Sequence, residues 1–145
     1  CPTCGIMYGS VIGDQPEGTM NVTTSPHMHC SGYAGAGTIV INYAFSSGIQ
    51  GPKHPHPGQR YSGTSRVAYL PDTPDGRAVL ALLQRCFDQR LTFTVGTSVT
   101  TGIPNCVIWN GVHHKTRTNG GVQAFGYPDP TYFERVKAEL AAKGV

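Results

Sequence analysis

Residues 73–95 read TPDGRAVLALLQRCFDQRLTFTV, and within them the hydrophobic period changes once. Thr73 can cap a helix, Pro74 suits its first turn, and Asp75 complements the helix dipole. Val79, Leu80, Leu82, Leu83, Cys86 and Phe87 then fall at the spacing of a helix with one buried face. From Leu91 to Val95 the period becomes two, the signature of a strand. The stretch predicts a helix over about 74–90 that feeds directly into a strand, and so a chain in which the two element types share one core.

Working outward on the amino-terminal side, Gly37 to Ser46 is the clearest strand, with Ile39, Ile41, Tyr43 and Phe45 alternating onto one face. Ser65 to Leu70 reads as another. Between them, Ser47 to Gly63 is a long loop carrying Lys53-His54-Pro55-His56-Pro57-Gly58, whose prolines exclude it from a central ladder. Residues 5–35, rich in Gly, Ser, Thr and Pro, form a connector able to place short strands against the main body. On the carboxy-terminal side, Gly96 to Gly102 is a loop. Val107-Ile108-Trp109 and Val112-His113-His114 flank Asn110-Gly111, a two-residue hairpin signal. Gly120-Gly121 and Gly126-Tyr127-Pro128-Asp129-Pro130 are further loops. Asp129-Pro130 opens a last helix, through about Lys143, ended by Gly144. The predicted fold class is α+β: a single compact domain of antiparallel strands, two main helices (about 74–90 and 130–143) and long Gly/Pro-rich loops.

Composition agrees. A chain of 145 residues makes one ordinary domain, and 39% hydrophobic residues suffice for its core. No run approaches the ~20 apolar residues of a spanning helix, so no membrane partner is expected. Charged residues make up 13%, about half the usual share, against 19 Gly and 11 Pro, which argues against coiled coils and charged disordered tails. The net charge of +3 is too mild to imply a nucleic-acid groove by itself. Five cysteines form no disulfide rhythm and read as reduced thiols of the cytosol or nucleus. Only the sequon Asn21-Val22-Thr23 points toward secretion. Cys1-Pro2-Thr3-Cys4 is a tight knuckle that suits two thiolates on one zinc, but no second ligand pair follows.

Six sets of residues could carry chemistry. With Tyr132 set to zero at 100° per residue, Val136 falls at about 40°, Leu140 at about 80° and Glu139 at about −20°, the edge of the apolar arc. A carboxylate half-covered there would have a raised pKa and could act as a general base; the alternative is a rim glutamate, solvated or paired with Arg135 or Lys143. His113 and His114 are adjacent on an expected strand and so face opposite ways. One could meet a ligand or shuttle a proton, or both could be structural. His54 and His56 could join His113 on a metal in a hydrolase. Ser98 and His113 suggest a nucleophile pair, but no acid is evident to orient the imidazole. The Gly96–Gly102 loop offers hydroxyls and amides to an anion, without the ending of a nucleotide P-loop. Trp109, Phe125 and Tyr127 lie nearest these loops and could stack on a base or belong to the core.

Gly37-Thr-Ile-Val-Ile, Gly48-Ile-Gln-Gly, His54-Pro-His-Pro-Gly58, Tyr69-Leu-Pro-Asp72, Leu91-Thr-Phe-Thr-Val-Gly-Thr-Ser98, Trp109-Asn110, His113-His-Lys-Thr116 and Gly126-Tyr-Pro-Asp-Pro130 resemble, in order, the carboxy-terminal (DTC) domain of the deltex ubiquitin ligases. Phe87-Asp-Gln-Arg-Leu91, and Phe125 before Gly126, look most like the deltex-3-like branch. In that family a RING finger lies directly upstream. The resemblance therefore implies that residues 1–5 are the carboxy-terminal remnant of a RING, with Cys1 and Cys4 its last zinc ligands, and that 6–145 is the deltex domain. Zinc belongs to the intact RING and not to this stub.

The resemblance implies a RING-type ubiquitin-protein ligase acting in the cytoplasm or nucleus, in the setting of Notch signalling. The RING would recruit a conjugating enzyme charged with ubiquitin. The domain would bind ADP-ribose or NAD and bring ADP-ribosylated proteins, or nucleic-acid ends, to the thioester. Gly96, Thr97, Ser98, His113, Gly126, Tyr127 and Pro128 match the pocket motifs, with Phe125 beside them. Glu139 matches the catalytic glutamate and would deprotonate a ribose hydroxyl, while His113 would hydrogen-bond the ligand. Two residues depart from the pattern: several family members carry His where this chain has Phe125, and Ser where it has Val99. Phe125 can stack but cannot transfer a proton, which sets the NAD-cleaving, ubiquitin-capping reaction apart from transfer to a hydroxyl. It also favours the alternative of a pure binding module that leaves chemistry to the RING.

Overall fold

The computed structural model describes residues 12–145. The expectations for Cys1, Cys4 and the 1–5 remnant lie outside the described residues. In chain order the elements are β1 (Thr19–Ser25), β2 (Thr38–Phe45), β3 (Gly48–Ile49), β4 (Arg60–Tyr61), β5 (Thr64–Pro71), α1 (Pro74–Asp88), β6 (Phe93–Gly96), β7 (Cys106–Trp109), a short 3-10 turn (Val122–Ala124) and α2 (Tyr132–Ala142). The fold is α+β with antiparallel sheets, as predicted. No helix among the described residues is long and apolar enough to cross a membrane.

β2 organises the core. It lies between β1 and β5 in a three-stranded antiparallel sheet, and its alternation is realised without a slip. Ile39, Ile41, Tyr43 and Phe45 are buried, while Asn42 and Ala44 face out. Burying each such side chain contributes roughly 1.5–3 kcal/mol, which pins the register because a one-residue shift would expose all four. β1 is the short strand that the weakly periodic connector was expected to supply, and it pairs with β2 from Thr19 opposite Ala44 to Ser25 opposite Thr38.

α1 begins as read. The Thr73 hydroxyl accepts from Gly76 N at 3.1 Å. A Cβ at Gly76 would stand 1.9 Å from Pro71 O, so the first turn can lie on the end of β5 only with glycine there. Val79, Leu83 and Cys86 are buried from α1, and Tyr132, Val136 and Leu140 from α2. The two helices pack on each other and α1 on β5.

Three local readings are corrected. The hairpin across Asn110-Gly111 does not form. β7 pairs instead with β6, Phe93 opposite Trp109 and Gly96 opposite Cys106, and 112–114 is not a strand. The reason is competition for backbone groups. Asn110 N donates to Thr92 O at 3.0 Å and its side-chain amide to Leu91 O at 3.1 Å. Beyond it, His113 N and O are taken up by Glu139 and Tyr132 of α2, and Lys115 O accepts from Tyr69 N of β5. The 47–63 loop is not structureless, since β3 and β4 pair within it. Finally, Asp129 does not begin α2, which starts three residues later; its carboxylate is buried between Lys115 and Arg135.

Candidate functional site

The site is a cleft of about 600 Å³ between β5, β7, the loop after β6 and the 111–116 segment. Its floor is aromatic. Phe93 stacks on Trp109 with centroids 4.5 Å apart, and Trp109 stacks on His114 at 4.3 Å. Tyr43 meets the edges of all three rings from the core side. Val107 and Val112, both buried, complete the apolar surface.

His114 is part of this floor. Its Nδ1 faces Val112 O at 3.0 Å, and a carbonyl only accepts, so Nδ1 carries the proton. Nε2 is then the acceptor for the Tyr43 hydroxyl at 2.9 Å. Burial pushes His114 down to about 4, so it stays neutral and holds this tautomer. Burial raises the Tyr43 phenol, which keeps its proton on oxygen as donor.

His113, by contrast, faces the cleft with its side chain 66% exposed. Glu139 of α2 holds it twice: one carboxylate oxygen accepts from His113 N at 2.9 Å, and the other accepts from Nδ1. Tyr132, also on α2, donates its hydroxyl to His113 O at 2.7 Å. The edge position read for Glu139 on the helical wheel is thus realised, and its partner is neither Arg135 nor Lys143 but His113. With Nδ1 engaged, Nε2 is the ring nitrogen left for a ligand. A carboxylate behind an imidazole is an arrangement that moves a proton: the ring accepts it at Nε2 while the carboxylate stabilises the imidazolium.

The segment carrying this pair is braced from below. Lys115 Nζ donates to Asp129 at 2.7 Å, with side chains only 6% and 3% exposed, and Arg135 pairs with the same carboxylate. Burial works to raise the Asp129 carboxyl, but the Lys115 bond and charge and the Arg135 charge outweigh it and hold the group below its ordinary range.

The remaining residues singled out in the sequence divide. Ser98 lines the cleft, its hydroxyl accepting from Thr101 N at 3.3 Å, and Val99 beside it is fully exposed. Phe125 also lines the cleft, 65% exposed and with a left-handed backbone at φ 58°. A bulky residue there is strained, and strain of this kind collects where a side chain must be presented to a ligand. Gly96, Thr97, Gly126, Tyr127 and Pro128 are not lining residues. Tyr127 points into the core, donating to Tyr69 O at 2.8 Å.

His54 and His56 are not brought to His113. His54 accepts from Gly51 N at Nδ1 and donates from Nε2 to Asp14 O, so both nitrogens serve the loop. His56 Nδ1 bonds Asn105. Among the described residues no set of three or more His, Cys, Asp and Glu is arranged for a metal, so His54, His56 and His113 do not form the joint site considered for them. Sequence reasoning missed the acid behind His113, which lies 26 residues away. It also missed Arg66 of β5, a cleft residue whose register opposite Tyr43 is a property of pairing and not of local pattern.

Comparison with known proteins places these features in a family. A family model described as the Deltex C-terminal domain matches residues 12–145. The chain is 57% identical over its whole length to the Homo sapiens protein named "Probable E3 ubiquitin-protein ligase DTX3", covering 42% of that protein. It is 48% identical to the Mus musculus "E3 ubiquitin-protein ligase DTX4" and 46% to the Homo sapiens "E3 ubiquitin-protein ligase DTX1", again over its whole length and covering 24% of each. The chain thus spans less than half the length of these relatives.

Proposed function

The chain belongs to the Deltex C-terminal domain family, and on that premise we propose that it is the nucleotide-recognition domain of a ubiquitin-protein ligase. Its cleft would take ADP-ribose, free or attached to a protein or nucleic-acid end, and present a ribose hydroxyl to ubiquitin carried by a conjugating enzyme. The observation that carries this reading is the Glu139–His113 pair at the edge of an aromatic-floored cleft. The floor suits a base or sugar face, Phe125 suits a stacking cover, and Ser98 and Thr100 offer hydroxyls to ribose or phosphate.

In the reaction, the ribose hydroxyl would give its proton to the pair as its oxygen attacks the thioester carbonyl. A carbon–oxygen bond forms, the carbon–sulfur bond breaks, and the thiolate of the conjugating enzyme leaves. Both carboxylate oxygens of Glu139 face His113, so we assign the imidazole as the group that receives the proton and Glu139 as the residue that holds and orients it. Replacing Glu139 by Gln in the full-length ligase tests this. Retained ADP-ribose binding with loss of ubiquitin transfer to nucleotide supports it, and unchanged transfer contradicts it.

A pure binding module is the second reading, favoured by Phe125, which supplies no proton where it borders the cleft. It predicts that transfer to nucleotide is indifferent to Glu139.

A further inference from the structure

We infer that Arg66 reads negative charge on the ligand of the cleft, so that the site prefers a phosphate-bearing nucleotide to its neutral nucleoside. This rests on the proposed reading of the cleft as a nucleotide site and adds a residue that sets its selectivity.

The position of Arg66 follows from how β5 is fastened. On one side β5 pairs with β2, and Arg66 stands opposite Tyr43, sharing the face that carries the buried phenol. On its other side the chain around β5 is tied at two points. Ser62 N donates to Asn105 O at 2.9 Å and Val107 N to Ser62 O at 3.0 Å; at the far end Tyr69 N donates to Lys115 O at 2.8 Å. Between these ties β5 and β7 part, and the cleft opens there with Arg66 in its wall.

The charge is uncompensated. No carboxylate lines the cleft, and among the described residues no ion pair engages Arg66, whereas Arg77 and Arg135 each hold an aspartate. A guanidinium has five donors, and the contact made by this one is from Nη1 to Ser65 O at 2.8 Å. A planar fork with donors to spare, exposed at the wall of an apolar-floored cleft, matches phosphate oxygens. The aromatic floor can take the base or sugar while Arg66 takes the anion. A solvated arginine guarding an edge strand would not discriminate between ligands by charge.

The test is a calorimetric titration of the chain with ADP-ribose and with adenosine, for the unmodified protein, Arg66→Gln and Arg66→Lys. Losing charged hydrogen bonds should weaken ADP-ribose binding by about tenfold to a hundredfold in Arg66→Gln and leave adenosine unchanged. Arg66→Lys, which keeps the charge without the fork, should fall between. Added salt should weaken ADP-ribose binding to the unmodified chain more than to Arg66→Gln. Unchanged ADP-ribose affinity in Arg66→Gln overturns the role of Arg66 and leaves the cleft reading standing. An equal loss for both ligands also overturns it, since the substitution would then have damaged the floor. If neither ligand binds the unmodified chain, the cleft reading falls and the role of Arg66 with it.

Discussion

Glu139 grips His113 by two handles at once, the backbone N–H and the ring Nδ1, across a gap of 26 residues in the chain. The double contact fixes both the position of the residue and the direction of its ring, so the carboxylate and the imidazole should behave as one unit.

Groups that act as a unit are not additive. Glu139→Gln and His113→Ala should each lower ubiquitin transfer to nucleotide by about 10²–10⁴-fold, the usual contribution of a positioned acid–base group. The double variant should be no slower than the worse single one. Single-turnover rates of the full-length ligase check this, and multiplicative losses would show that the two residues act separately.

Acid should loosen the floor of the cleft. Burial holds His114 at about 4 against an ordinary 6.5. Between those values the unfolded chain binds more protons than the folded one, so stability is full above pH 6.5 and declines toward pH 4. This group accounts for a loss on the order of 3 kcal/mol. Denaturant titrations across that window should show the slope, and His114→Gln should flatten it.

The Lys115–Asp129 pair is nearly sealed from water. Removing one charge strands the other, so Asp129→Asn should destabilise the fold by about 3–5 kcal/mol. Arg135, 44% exposed, is a lesser partner, and Arg135→Ala should cost about 1 kcal/mol or less. Urea unfolding separates the two.

Phe125 holds a left-handed backbone and buries little of its ring. Phe125→Gly should leave stability unchanged or raise it by about 1 kcal/mol, because glycine adopts that conformation without strain. The same change should weaken ADP-ribose binding. A variant that is both stable and tight would show that the ring does not touch the ligand.

What could be read from the sequence was what depends on local period. Ile39, Ile41, Tyr43 and Phe45 form the core face of β2 as their alternation requires, and Thr73 caps α1. The rim position of Glu139 is a property of one helix and was legible too. Its partner was not, because pairing with His113 depends on how α2 packs against a segment whose own backbone groups are satisfied from α2 and β5. Asn110-Gly111 misled because the turn signal is local, while the bonds from Asn110 to Leu91 and Thr92 that override it are not. β1 was legible only as a short strand somewhere within the 5–35 connector, because its threonines and asparagine leave a weak period of Met20 and Val22, and its register comes from β2. Arg66 reads as an ordinary surface charge until β5 is seen to part from β7.

The most direct test of the central claim is a calorimetric titration of the chain with ADP-ribose, with AMP as control, repeated on His113→Ala. Saturable one-to-one binding of ADP-ribose, weakened in His113→Ala, is the predicted result and would place the nucleotide in the cleft beside the Glu139–His113 pair. No binding at millimolar ligand would contradict the account and leave the domain to be read as a protein-interaction module.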